Sequence, residues 1–414
     1  MDILLIGSGG REHSLAWKIA KSQMVERLIC MPGNPGMASL ATCVEDQEVV
    51  GFCKKEKIDL VVVGPEGPLA DGLADRLEAA GIPCFGPSGA AAQLESSKSF
   101  TKGICDSAGV PTAAYGHFSE PSDAKAFLST MAAPFVIKAD GLAAGKGVMI
   151  CADRAEAEAA IDTLLMISGS VVIEEFMQGY EVSVFAVTDG HAVQRFGHAS
   201  DYKRAHDGDT GPNTGGMGAV SPALGFNEEL EEQAYREIIE PTLAELRRRG
   251  IIYRGVLYAG LMITPEGPKL VEFNCRFGDP ECQLIMRRLS SDIVPALMAA
   301  AKGTLGECEP QAWRDETGVL ITYAADGYPG GYEKGTLIEG LEEAEANEGA
   351  LVFHAGTSRL TDGRLTASGG RVLSVTALGA DREEARRRAY KAAEKIHWPS
   401  GFYRTDIADT ERRG

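Results

Sequence analysis

The chain has no apolar run of 18 or more residues, so no membrane-spanning helix is expected. Its seven histidines show no H-E-x-x-H or comparable spacing, which argues against a zinc centre. Nine cysteines stand at 30, 43, 53, 84, 105, 151, 275, 282 and 308 without one C-x-x-C pair, and an odd number cannot all pair within one chain. A reducing, cytoplasmic compartment is the simplest reading. Positive charge is the scarcer sign, with 41 Lys+Arg against 59 Asp+Glu and a formal net charge of -18. That balance argues against nucleic acid as a partner. The opening MDILLIGSGGREH has neither a positive n-region nor a small-residue cleavage site, and it reads as a first strand, not a signal peptide. There is no internal repeat and no low-complexity linker.

What is present is ordinary globular composition, 44% hydrophobic and 24% charged, in 414 residues, enough for two to four domains. In the first hundred residues short apolar strands (3–6, 27–31, 60–63, 82–85) alternate with amphipathic helices (11–22, 49–57, 70–80). That alternation predicts a parallel α/β sheet. A helix over 95–109 follows, then strand 134–139, a glycine-rich loop, a strand near 147–151, a helix near 153–165 and strand 171–176. Strands at 181–188 and 191–198, an irregular stretch from about 200 to 222, a helix near 227–248 and strands 256–264 and 268–274 complete this unit. The last hundred residues predict strands near 317–324, 351–355 and 370–377. A final helix opens at Asp381, with Glu384 completing a capping box. Ala385, Ala389, Ala392, Ala393 and Ile396 form its buried face.

Five stretches carry chemistry. Gly7-Ser8-Gly9-Gly10-Arg11-Glu12-His13 leaves a strand and opens a helix, a place for an anion on free N–H groups. A dinucleotide fingerprint needs a third glycine where Glu12 stands, so a nicotinamide-dependent oxidoreductase is disfavoured. Arg11 opposes the helix dipole, and either an anionic ligand or a neighbouring carboxylate would relieve that conflict. In Lys138-Ala-Asp-Gly-Leu-Ala-Ala-Gly-Lys146-Gly147, the glycines 141, 145 and 147 allow close approach to phosphates and the lysines supply charge. The order is not that of a P-loop. Val171 to Met177 runs an apolar strand into Glu174 and Glu175, with Glu181 beyond, which could face an adenine and a ribose or be a solvated strand end. Strand alternation puts Glu272, Asn274 and Arg276 on one face, away from Phe273 and Cys275. A carboxylate and an amide oxygen two residues apart suit a hard cation such as Mg²⁺. The glycine-rich run 209–218, preceded by Lys203 and Arg204, reads as a substrate-covering loop.

The blocks GSGGREH, VGPEGPL, FGPS…QLESSKSFTK, VIKADGLAAGKGV, VIEEFMQGYEVS, DTGPNTGGMGAVSP, LYAGLM, VEFNCRFGDPE, FHAGT and GGRVLSVTALG, in this order, resemble the phosphoribosylamine–glycine ligase (glycinamide ribonucleotide synthetase) family of the ATP-grasp superfamily. The resemblance covers essentially the whole chain. It implies an N-terminal α/β domain over 1–102, an ATP-grasp domain over 103–304 with a mobile lid at about 112–188, and a small C-terminal α+β domain over 305–414. It implies ATP-dependent joining of glycine to 5-phosphoribosylamine through glycyl phosphate, in purine synthesis, by a monomer with no nucleic-acid or membrane partner. Another acid, such as formate, or another amine on the same fold is the alternative.

By match to the family's motifs, Lys98 and Lys138 would contact ATP phosphates, with Gly145, Lys146 and Gly147 on the glycine-rich loop. Glu174, Glu175, Phe176 and Met177 would line the adenine and Glu181 the ribose. Glu272 and Asn274 would hold Mg²⁺ or Mn²⁺. Arg276, Lys203, Asp201 and the loop residues Asn213, Thr214, Gly215 and Gly216 would address the reacting groups. Gly9, Gly10, Arg11 and Glu66 would face phosphoribosylamine. Three departures stand out: a short segment 165–170 where the family has a phosphate loop, Tyr202 in place of a histidine, and no metal carboxylate in LYAGLM. A short loop predicts weaker lid closure. The lysines with Arg276 predict a basic centre inside an acidic protein.

Overall fold

The computed structural model describes residues 1–142, 147–347 and 349–409. The predicted parallel sheet forms with strand order Thr42–Cys43, Arg27–Pro32, Asp2–Gly7, Leu60–Val63, Cys84–Phe85. Ile3, Leu4 and Leu5 are fully buried, because helices cover both faces of a parallel sheet. Two expected helices are each split. Asp71 and Gly72 separate Glu66–Ala70 from Leu73–Ala79, Gly72 being left-handed. Ser97, with extended φ and ψ of -140° and 112°, separates Gly89–Ser96 from Lys98–Ala108 and caps the second helix at Phe100 N–H. That break brings Lys98 to a helix start.

A four-stranded antiparallel sheet follows, ordered Tyr115–Phe118, Val171–Glu175, Phe135–Ala139, Val148–Cys151. Arg154–Ser168 packs Ala157, Ala160, Ile161 and Leu164 against it. This unit falls within the stretch expected to be the lid, about 112–188, and takes that name. Residues 165–168 are the last turn of that helix and Gly169 is its left-handed cap, which leaves only Gly169 and Ser170 before strand Val171–Glu175.

The body is one antiparallel sheet of nine strands. Its order is Gly267–Asn274, Gly255–Thr264, Tyr180–Thr188, Val193–Asp201, Gly218–Ser221, Thr317–Ala325, Arg371–Gly379, Ala350–His354, with Gly401–Phe402 also on Thr317–Ala325. The stretch expected to be irregular contributes Gly218–Ser221 and a hairpin, Arg204–His206 with Thr210–Asn213. The final helix, Arg382–Ala393, is capped by Asp381 as expected, but Glu384 reaches back to Ala380 N–H and not to the cap residue.

Three histidines sit where elements meet, His13 and His354 buried and His198 half-buried. His13 accepts the His354 N–H at 2.8 Å, joining the N-terminal unit to strand Ala350–His354, and His198 accepts the Ala223 N–H at 2.9 Å. Burial pushes His13 down to about 3, and His198 and His354 each down to about 4. A depressed histidine value means that the unfolded chain takes up protons first. The stability is fully present above about pH 6.5 and is lost as pH falls towards 4. In His198→Asn the amide oxygen can replace Nδ1 as acceptor. Its stability, read by denaturant unfolding, is expected to fall less steeply between pH 6.5 and 4, by about 1.4 kcal/mol per pH unit. Parallel curves for the two proteins would overturn this.

Candidate functional site

A cleft of about 430 Å³ opens where the N-terminal unit, lid, body and C-terminal strands meet. Its floor is the end of strand Gly267–Asn274. Gly260 pairs with Glu272 and Leu261 with Leu270, so Val271 is an extra, bulged residue. A bulge re-aims the side chains beside it. Phe273 and Cys275 are buried on the far face, while Glu272, Asn274 and Arg276 line the cleft as strand alternation predicts.

Arg276 bridges two carboxylates of the N-terminal unit, Glu66 at 3.2 Å and Glu95 at 3.0 Å. Glu95 also accepts the Cys275 N–H at 2.7 Å. Burial raises the Glu95 carboxyl, and Arg276 opposes that rise. Arg11 reaches the neighbouring carboxylate Glu12 at 2.6 Å and donates to Phe277 O, while its edge lines the cleft. The Glu12 carboxylate accepts the Gly9 N–H at 2.7 Å. A Cβ on Gly7 or Gly64 would collide with the Glu12 side chain. The glycines thus make room for the protein's own carboxylate, which fills the space that a dinucleotide's pyrophosphate would need.

Lys98 donates to Gly141 O at 3.0 Å, and Asp140 accepts both the Lys98 N–H and the Ser99 hydroxyl, clasping the lid to this helix start. Burial lowers the Lys98 ammonium, while Glu272 acts in the opposite sense. Lys203 pairs with Glu181 across the body sheet. Asp201 is pushed up to about 7 by burial, with Lys203 pulling it down and Glu281 and Glu181 adding to the rise. Glu281 accepts the Ser183 hydroxyl at 2.9 Å, and that hydroxyl also meets the Tyr258 phenol at 3.0 Å.

Of the residues singled out in the sequence, Arg11, Glu66, Lys98, Gly147, Asp201, Lys203, Thr214, Gly215, Glu272, Asn274 and Arg276 line this one cleft. Others lie elsewhere. Gly9 stands at the rim, near Glu12 and Asp279, whereas Gly10 is buried against Gln283. Asn213 is exposed on the hairpin, and Gly216 packs on Pro280. Lys138 and Glu174 form a buried pair behind the cleft, at 2.6 Å. Glu175 accepts the Ala114 N–H at 3.0 Å, Phe176 is exposed and Met177 is half-buried. Gly145 and Lys146 lie outside the described residues. The Tyr202 phenol points away, accepting the Ala408 N–H, which fits the lack of a histidine-like role.

The expected basic centre is corrected. Among the described residues five cations line the cleft (Arg11, Lys98, Lys203, Arg276, Arg371) with six carboxylates (Glu66, Glu95, Asp201, Glu272, Asp279, Glu281). Each of Arg11, Arg276, Lys203 and Arg371 has a carboxylate within ion-pair distance. Sequence reasoning missed Glu95, Tyr258, Asp279, Glu281, Tyr328 and Arg371. All but Tyr328 fall inside the quoted blocks. Arg371 donates to Gly215 O at 2.6 Å and Asp279 O at 2.5 Å, stapling the glycine-rich loop from the C-terminal side.

The two oxygen donors Glu272 and Asn274 on one strand face fit a hard divalent cation that takes its other ligands from water and phosphate. Among the described residues no cluster of three or more His, Cys, Asp or Glu could hold a metal by itself.

An N-terminal α/β unit, a four-stranded lid, and an antiparallel body whose edge strand carries Glu272 and Asn274 define an ATP-grasp enzyme. A biotin carboxylase–β,γ-ATP complex from Campylobacter jejuni shares the fold at a TM-score of 0.74 and 15% identity, over 97% of this chain and 92% of that one. The models of the phosphoribosylglycinamide synthetase N, ATP-grasp (A) and C domains match residues 1–95, 96–282 and 318–410, and the chain belongs to that family. It is 56% identical to the phosphoribosylamine–glycine ligase of Caulobacter vibrioides, covering 98% of this chain and 97% of the relative. It is 49% identical to the chloroplastic enzyme of that name from Arabidopsis thaliana, covering 96% of this chain and 78% of the relative. The crystal structure of the Thermotoga maritima phosphoribosylamine–glycine ligase superposes at a TM-score of 0.87 with 34% identity, over 98% of this chain and all of that one.

Proposed function

We propose that this chain joins glycine to 5-phosphoribosylamine, consuming ATP and releasing ADP, phosphate and glycinamide ribonucleotide, a step of purine biosynthesis. The observation that carries the reading is the mixed-charge cleft. Glycine is a zwitterion, so its ammonium needs carboxylates and its carboxylate needs cations, side by side. The six carboxylates and five cations of the cleft supply both.

A carboxylate is a poor electrophile because oxide is a poor leaving group. A glycine oxygen attacks the γ-phosphorus of ATP, and the bond to the ADP oxygen breaks. The amine of phosphoribosylamine then attacks the acyl carbon, and phosphate leaves with that glycine oxygen. No enzyme nucleophile is required, so catalysis rests on positioning and charge neutralisation. Lys98, Lys138 and the glycine-rich loop with Gly145, Lys146 and Gly147 cradle the phosphates. Glu175, Phe176 and Met177 border the adenine and Glu181 the ribose, while Glu174, buried between two lysines, stays behind them. Arg276 and Lys203 hold the acyl phosphate. Asp201, held near neutrality by burial, takes the proton released by the amine. Mg²⁺ or Mn²⁺ on Glu272 and Asn274 would neutralise charge on the transferring phosphoryl group. Gly9, Arg11 and Glu66, with Thr214 and Gly215, face the phosphoribosylamine side. The units divide near residues 102 and 304, with a lid at about 112–188, and the enzyme works as a cytoplasmic monomer.

Glycine labelled with ¹⁸O in its carboxylate tests the route. One labelled oxygen is expected in inorganic phosphate and one in the product amide, read by mass spectrometry. Phosphate free of label would overturn an acyl phosphate. A panel of acids that includes formate, with ADP release as readout, separates glycine from other acids.

A further inference from the structure

Behind the cleft three charged side chains share one buried site. Lys102, Lys138 and Glu174 are 4%, 5% and 3% exposed. Glu174 presents one oxygen to Lys102 at 3.1 Å and the other to Lys138 at 2.6 Å. The three come from separate places: Lys102 from the body helix Lys98–Ala108, Lys138 and Glu174 from neighbouring lid strands. Both lysines are anchored further, Lys102 by two acceptors, one of them Ala113 O at 3.4 Å, and Lys138 by one. Lys102 donates to the Thr112 hydroxyl at 2.8 Å, which itself donates to Leu270 O. Lys138 donates to the carbonyl of the bulged Val271 at 3.4 Å.

A buried pair needs one cation for one carboxylate, yet here two cations share one. Burial alone would raise the Glu174 carboxyl, but the two ammonium groups hold it below its ordinary value. The carboxylate is therefore charged, and the triad carries one net positive charge away from water. A surplus charge in such a place is costly unless an anion answers it. Lys138 is the member assigned above to the ATP phosphates. Both lysines stand behind the cleft lining, but Lys138 donates to the carbonyl next to Glu272 on the cleft floor, whereas Lys102 turns to Thr112.

We propose that Lys102 is a positioning residue for ATP: by taking half of the Glu174 carboxylate it leaves the Lys138 ammonium with unspent positive charge for the phosphates. Without Lys102, Glu174 and Lys138 would close into a neutral pair. The Lys102–Glu174 contact also ties the lid sheet to the body helix beside Thr112, where the chain enters the lid. The inference rests on the reading of the cleft as the ATP site.

The test uses the full chain and steady-state kinetics with each substrate varied. Lys102→Met is expected to raise KM for ATP about ten-fold, with kcat within about two-fold and KM for glycine unchanged. The double variant Lys102→Met/Glu174→Gln removes one charge of each sign and restores the surplus on Lys138. It is expected to return KM for ATP towards the parent value, a rescue that a merely structural role would not give. It also stays informative if the single variant folds poorly, since removing a whole buried pair is often tolerated. An unchanged KM for ATP in Lys102→Met, or a double variant as weak as Lys138→Met, overturns the proposal. Lys138→Met separates the two readings. If it leaves KM for ATP unchanged, the phosphate site is wrong. If it raises KM while Lys102→Met does not, only the role of Lys102 falls.

Discussion

Glu272→Gln is expected to lower kcat by about two to three orders of magnitude, the scale seen when a group that neutralises transition-state charge is removed. The change keeps the side chain's shape and removes its charge. Glu272 is exposed to the cleft, so no buried charge is orphaned and the unfolding midpoint should stay where it is. Half-activation by Mg²⁺ should move to higher concentration, because one of two protein donors has become a weaker ligand. Lys98, whose ammonium is held up partly by Glu272, loses that support, so KM for ATP should rise as well. The check is a Mg²⁺ titration of initial rate at saturating substrates. A parent-like titration and rate would remove Glu272 from the metal and leave Asn274 without a partner.

Arg276→Lys should be more damaging than its conservative look suggests. The guanidinium addresses Glu66 and Glu95 at once, from Nε and Nη2. An ammonium is a single point of charge and cannot span both. A loss of about 10²–10³ in kcat/KM for glycine is expected, as for other groups that stabilise charge developing in the transition state. Stability should fall too. The Glu95 side chain is 8% exposed, and a buried carboxylate that loses its partner costs about 3–5 kcal/mol. The double variant Arg276→Met/Glu95→Gln separates the effects. It should recover most of the unfolding free energy and none of the activity. Recovered activity would mean that Arg276 serves only the fold.

Much of the architecture was legible because periodicity is local. Alternation alone put Glu272, Asn274 and Arg276 on one face, and the structure places all three in the cleft. The missing third glycine was legible as well, though its reason was not: Glu12 occupies the space itself. Other features depend on contacts far apart in the chain. The break at Ser97 follows no proline or glycine, and it makes sense only once Asp140 is seen accepting from the new helix start. The extent of the alanine-rich helix was another such feature: its pattern suggested an end near residue 165, yet the helix continues to Ser168. The balance of charge in the cleft was misread for the same reason. Lysines stand out in glycine-rich motifs, while the partners Glu66 and Glu95 are separated from Arg276 by roughly half of the sequence.

The pairing of Gly218–Ser221 with Thr317–Ala325 bears on how the enzyme comes into being. The strand that closes the body sheet lies about a hundred residues downstream of its neighbour, and Arg371, further on, pins the loop at Gly215. Without those later strands the body sheet would end in an open edge at Gly218–Ser221, and the glycine-rich loop would have no clasp. Such an edge invites pairing with other chains. A chain cut short of Thr317–Ala325 is therefore expected to aggregate through that edge.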